Sequence, residues 1–93
     1  MYVISYDIVS DRLRNKVVKT LKGYGERVQY SVFECKITGK QYERLYTELE
    51  KLMKNSTEDT IRIYHLCKNC QNDWNLIGVE KAKRWEEKNI IIL

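Results

Sequence analysis

Residues Glu26–Ile37 read ERVQYSVFECKI, and the number of strands in this stretch decides the architecture. Val28, Tyr30 and Val32 alternate with Gln29, Ser31 and Phe33, the two-residue period of an extended chain. The stretch is either one strand or two strands broken near Ser31. No Gly, Pro or Asn stands there to mark a hairpin turn, so the pattern alone leaves both open.

Upstream, GYG at Gly23–Gly25 closes an amphipathic helix, glycine being able to take a left-handed cap without steric cost. Leu13, Val17, Leu21 and Tyr24 form its apolar stripe, starting from the cap candidates Ser10 and Asp11. Its other face carries Arg12, Arg14, Lys16, Lys19 and Lys22. Before it, YVISYDI at Tyr2–Ile8 is short, apolar, β-branched and aromatic, and reads as a strand buried on both faces. Downstream, TGKQ at Thr38–Gln41 matches a capping box, in which the threonine and glutamine side chains each satisfy an orphan backbone N–H. Behind it Tyr42, Leu45, Tyr46, Leu49, Leu52 and Met53 trace a second helical stripe. NSTED at Asn55–Asp59 is a polar loop. TIRIYHLC at Thr60–Cys67 is a further strand, with Ile61, Ile63, His65 and Cys67 facing one way. Beyond it, NLIGVE is a candidate short strand, KAKRWEEK a polar turn or helical piece, and NIIIL a terminal strand.

The order is strand, helix, strand or strand pair, helix, strand and tail: an α+β domain spanning residues 1–93, with residues 76–93 as its tail. A βαββαβ arrangement covers one sheet face with two helices and leaves tyrosines and valines bare on the other. That face, and an apolar tail in which each buried side chain is worth about 1.5–3 kcal/mol, both favour a homodimer in which the tail adds to the partner's sheet. With 93 residues, 32% charged and 43% hydrophobic, the chain has the composition of one small folded domain and is too apolar for disorder. A net charge of +4 leans mildly towards polyanions. Three cysteines in a chain without a signal peptide point to a reducing cytoplasm, and no apolar run approaches membrane-spanning length.

Asp7 is the first candidate for chemistry. At the carboxyl end of a strand it is either a ligand for Mg²⁺, which prefers carboxylate oxygen, or an acceptor for N–H groups of the following helix. One carboxylate per chain is meagre for a metal nuclease. Two-fold symmetry would bring a second Asp7 across the axis, and the pair would repel until a cation sat between them. Arg14, Lys16 and Arg27 are candidate phosphate contacts, arginine gripping phosphate bidentately, with a solvated helix face as the alternative. Tyr6 and Phe33 either position a base or belong to the core. HLCKNC supplies His65, Cys67 and Cys70. A closed zinc site needs four ligands and Cys35 is the only other cysteine, so buried or idle thiols are expected, with His65 as a satisfied core residue.

The segment YVISYDIVSDRLRNKVVKTLKGYGERVQYSVFEC resembles the opening of the CRISPR-associated protein 2 family. The likeness rests on the strand-end Tyr-Asp, the DRLRNKV helix start and the RVQYSVFE strand, with RIYHLC resembling a later strand. It implies a ferredoxin-like fold, a break between two strands near Ser31, a homodimer, and a C-terminal strand packed on the partner subunit. It further implies a metal-dependent endonuclease acting on single-stranded RNA or on duplex DNA. The same resemblance implies association with the CRISPR-associated protein 1 integrase in spacer acquisition, where a non-catalytic scaffold seating duplex DNA is the alternative role. By the same resemblance Asp7 is the metal-binding carboxylate, with Mg²⁺ or Mn²⁺ as its ion. Tyr6 stands beside it, Arg14 and Arg27 contact phosphate, and Phe33 lines the site. Lys16 replaces an arginine found in some relatives, keeping charge without the fork geometry. Where relatives often carry an acidic pair, this chain has Ser10 and Asp11.

Overall fold

A computed structural model describes residues 1–79. In chain order the elements are β1 (Tyr2–Asp7), α1 (Asp11–Lys22), β2 (Glu26–Gln29), β3 (Val32–Cys35), α2 (Gly39–Met53) and β4 (Thr60–His65). The strands form one sheet in the order β2-β3-β1-β4, and every neighbouring pair is antiparallel. This is the βαββαβ order, with β3 inserted beside β1 so that the two strands flanking α1 do not touch.

The stretch from Glu26 onward is therefore a hairpin of two strands. Gln29 pairs with Val32 and Arg27 with Phe33, with a register shift between Arg27 and Gln29. The alternation read across Val28–Phe33 does not run through, because Tyr30 and Ser31 form the turn. A set of hydrogen bonds, two from Tyr6 of β1 and one from Arg27 within the hairpin, stands in for Gly or Asn. The Tyr30 carbonyl accepts from the Tyr6 hydroxyl at 2.9 Å and from Arg27 Nε at 3.0 Å. The Ser31 carbonyl accepts from the Tyr6 backbone N–H at 3.1 Å. Two of the three bonds come from β1, so the turn's own sequence carries no Gly, Pro or Asn signal.

Both helices lie on one sheet face. Ile4, Val17, Leu21, Phe33, Cys35 and Leu45 are completely buried there. The expectation that β1 is buried on both faces is corrected for the single chain. Ile4 and Tyr6 are buried towards the helices, whereas Val3 and Ser5 on the opposite face are half-buried and Asp7 is exposed. An antiparallel sheet with helices on one side leaves its other face uncovered.

Helix α1 starts at Ser10, whose hydroxyl accepts from the Leu13 N–H. It ends at Gly23 in right-handed conformation (φ −76°), with the Gly23 N–H donating to Thr20, so the expected left-handed cap is not used. Gly25 has the stricter requirement: a Cβ there would sit against the Glu34 carbonyl and 2.8 Å from Cys35 Cα. The capping box at Thr38–Gln41 is present in both directions. Asn75–Val79 carry no regular structure and Ile77 is fully exposed, so NLIGV forms no strand among the described residues. KAKRWEEK, NIIIL and the C-terminal strand expected on a partner lie outside the described residues. No helix among the described residues is long and apolar enough to cross a membrane.

Candidate functional site

Strand alternation divides the expected site residues between the two sheet faces. Asp7 ends β1 on the open face, opposite Thr60 of β4. Its carboxylate is exposed and takes part in no hydrogen bond or ion pair among the described residues. The alternative role, accepting from the first turn of α1, is filled by Ser10. The loop between Asp7 and α1 is held firmly. Arg14 Nη1 donates to the Ile8 carbonyl at 2.8 Å, and Arg14 Nη2 pairs with the Asp11 carboxylate. The Val9 N–H donates to Asp59 Oδ1 at 2.8 Å, while Asp59 Oδ2 accepts from the Ser56 hydroxyl at 2.7 Å. These bonds hold the Asp59 carboxyl below the usual carboxylate range, the Val9 amide first and the Ser56 hydroxyl second.

Tyr6, Arg27 and Phe33 lie on the helix side. Arg27 is buried, donating through Nη2 to the Tyr6 hydroxyl at 3.3 Å, with its guanidinium carbon 5.3 Å from the centre of the Tyr30 ring. Phe33 is wholly buried, its ring centre 6.4 Å from that of Tyr6. Burial pushes the Tyr6 phenol above its ordinary value, against the opposing pull of the Arg27 guanidinium. A phenol kept protonated in this way can donate to the Tyr30 carbonyl but is no general base at neutral pH. In this arrangement Tyr6, Arg27 and Phe33 shape the turn beside Asp7. Arg14 lies within electrostatic reach of Tyr6 and Tyr30, bridging the two groups from α1. Lys16 is exposed.

Sequence reading misses Tyr30, whose carbonyl and ring both engage Arg27, and Asp59, which it leaves in a polar loop. Ser56 and Asp59 stand three apart with mutual side-chain bonds, a spacing that flags a local turn. Of the thiols expected to be buried or idle, Cys35 is buried, and Cys67 and Cys70 are free and exposed. Two further expectations are corrected. β4 stops at His65, so Cys67 is not on its face. His65 is exposed at the strand end and stacked on Tyr2 (4.5 Å between ring centres), which in turn stacks on Tyr42.

Asp7 has the right chemistry for a hard divalent ion: an exposed carboxylate with uncommitted oxygens. Among the described residues a single chain brings only this carboxylate to the site, and no cluster of three or more metal-ligating side chains exists there. The donor fits half of a symmetric pair, not a closed single-chain centre.

Four antiparallel strands covered on one face by two helices, with an exposed carboxylate ending β1, define a small ferredoxin-like α+β protein. The family described as CRISPR associated protein Cas2 matches residues 1–74, and the chain belongs to that family. A Thermus thermophilus protein named CRISPR-associated endoribonuclease Cas2 is 42% identical over 96% of this chain and 94% of its own. A Chloroflexus aurantiacus protein named CRISPR-associated endoribonuclease Cas2 1 is 46% identical over 83% of each chain. Among solved structures, Streptococcus pyogenes Cas2 superposes with a TM-score of 0.70 at 32% identity, covering 83% of this chain and 98% of that one. A chain of a partial Cas6-RT-Cas1–Cas2 complex gives 0.71 at 34% identity, covering 82% and 88%.

Proposed function

We propose that this protein is a dimeric, Mg²⁺-dependent endonuclease, with single-stranded RNA as its substrate, that works beside the CRISPR-associated protein 1 integrase in spacer acquisition. The observation that carries the catalytic part is the Asp7 carboxylate, exposed and uncommitted on a loop pinned by Arg14 and Asp59. Relatives above 40% identity named as endoribonucleases support the reaction class. In the proposed dimer, Asp7 and its symmetry mate would supply the carboxylate oxygens that hold the ion. Bound there, magnesium would supply Lewis acidity towards a phosphate oxygen and lower the pKa of coordinated water. The chain's own part is to present Asp7 in fixed geometry and to offer the basic face of α1, with Arg12, Lys16 and Lys19 exposed, to the nucleic-acid backbone.

A second reading has the same dimer act as a DNA-binding scaffold with no need for cleavage. The likeness to a chain from a Cas1–Cas2 assembly favours it. One experiment separates the two. Asp7→Ala and the parent are compared for Mg²⁺-dependent cleavage of RNA and of duplex DNA, and for retention on the integrase. The nuclease reading expects cleavage to vanish with integrase association intact. Parent-like cleavage by Asp7→Ala removes Asp7 from the chemistry, and no cleavage by either protein leaves the scaffold.

A further inference from the structure

Where the chain leaves β4 it forms a tight turn, with the Cys70 N–H donating to the Cys67 carbonyl at 3.0 Å. The turn sits on a rigid base. The Leu66 N–H donates to the Met1 carbonyl at 2.8 Å, and the Met1 amino group donates to the Leu66 carbonyl at 3.2 Å. In this C-x-x-C turn the Cys67 and Cys70 sulfurs lie 3.0 Å apart, and both are exposed. Only about 1 Å of closure separates them from a disulfide bond length.

The two thiols are not equivalent. The Cys70 thiol and the backbone N–H groups of Cys70 and Asn69 converge on the Cys67 sulfur and hold its pKa below the ordinary thiol value. Cys70, facing that sulfur, is pushed the other way. A closed zinc site would need four ligands, and no third metal-ligating side chain joins this pair among the described residues.

We propose that Cys67 and Cys70 form a reversible thiol–disulfide exchange site, with Cys67 as the attacking sulfur and Cys70 as the resolving one. The Cys67 thiolate attacks one sulfur of a low-molecular-weight disulfide, forming a mixed disulfide and expelling one small thiolate. Cys70 then attacks Cys67 Sγ, losing its proton to solvent, and expels the second thiolate. Each small thiolate takes up a proton, so the protein loses two hydrogens and two electrons while the small disulfide is reduced to two thiols. The closed ring locks the exit from β4, and with it the direction of the residues after Cys70.

The test uses the intact chain equilibrated against mixtures of oxidised and reduced glutathione, acid-quenched, alkylated and read by intact mass and peptide mapping. The expected product is a monomeric chain lighter by two hydrogens, with a Cys67–Cys70 cross-link reversed by reductant, and Cys35 alkylated only after unfolding. Cys70→Ser should trap a glutathione adduct on Cys67 faster than Cys67→Ser traps one on Cys70, because the backbone N–H groups beside Cys67 remain in the first variant. Equal trapping rates, disulfides between chains in place of the internal one, or stoichiometric zinc retained through desalting would each overturn the proposal.

Discussion

Replacing Tyr6 by Phe tests whether this residue acts on a substrate or holds the turn beside Asp7. The hydroxyl donates to the Tyr30 carbonyl at 2.9 Å and accepts from Arg27 Nη2 at 3.3 Å. A neutral hydrogen bond contributes about 1 kcal/mol, and one to a charged group about 1.5–3 kcal/mol. The Tyr30 carbonyl keeps its bond from Arg27 Nε at 3.0 Å, so the first loss is partial. The length of the second bond puts it at the weak end of its range. Together these give a destabilisation of about 2 kcal/mol, or a fall in Tm of about 8–16 °C for a domain of this size. Thermal unfolding by circular dichroism measures it directly. Alkaline pH adds a sign check. The folded Tyr6 pKa is raised, so its contribution is complete below the unfolded value of about 10 and is lost as pH climbs through the folded one. The gap between parent and Tyr6→Phe should therefore narrow above about pH 10. Cleavage per folded molecule, measured well below Tm, should fall only modestly, through the loosened turn beside Asp7. An unchanged Tm would refute the bonding scheme. A large loss of cleavage at unchanged stability would move Tyr6 into the chemistry.

Gly25→Ala drives a methyl group into β3, against the Glu34 carbonyl and Cys35 Cα, backbone that cannot yield cheaply. It should cost about 3 kcal/mol, seen as a lower urea midpoint, and a parent-like midpoint would mean that β3 does not approach so closely. Asp59→Ala frees the Val9 N–H, so RNA cleavage should fall several-fold as the loop after Asp7 loosens, and parent-like cleavage would remove Asp59 from any positioning role. Because the Asp59 pKa is lowered in the fold, its stabilisation is present above about pH 4 and lost as pH falls through the folded value. The variant's stability should accordingly decline less than the parent's on acidification, and parallel acid limbs would refute the linkage.

Legibility in the sequence depends on where each signal resides. Both helices are legible, because their stripes and caps are local: Thr38 and Gln41 satisfy each other across three residues, and Ser10 serves Leu13. The β2–β3 break is not legible from pattern, because Tyr6 holds Tyr30 and Ser31 through tertiary bonds. The family likeness supplies that break. Asp7 can be singled out as a carboxylate ending an apolar strand. That Tyr6 and Arg27 turn inward while Asp7 turns outward needs the register, since the β2 bulge sets which face Arg27 takes. Asp59 is invisible for the same reason as the turn, because its partner Val9 lies fifty residues away.

The division of labour between the two sheet faces has a physical logic. A carboxylate that is to meet its symmetry mate around a cation gains nothing from internal hydrogen bonds, which would compete with the ion for the same oxygens. Its position must then be fixed by its neighbours. In this chain the neighbours do that from three directions: Tyr6 and Arg27 secure the β2–β3 turn, Arg14 holds the Ile8 carbonyl, and Asp59 holds the Val9 N–H. Arg14 and Arg27, which sequence reading assigns to phosphate, are engaged in supporting the surroundings of Asp7, and a reactive group needs such support to stay within about 0.5 Å of its working place. The exposed cations of α1 make none of these bonds and can be exchanged without disturbing the Asp7 loop. Loss of Arg14 or Arg27 should therefore lower activity through geometry and stability, with little change in the salt dependence of binding, whereas loss of Lys16 or Lys19 should flatten that dependence.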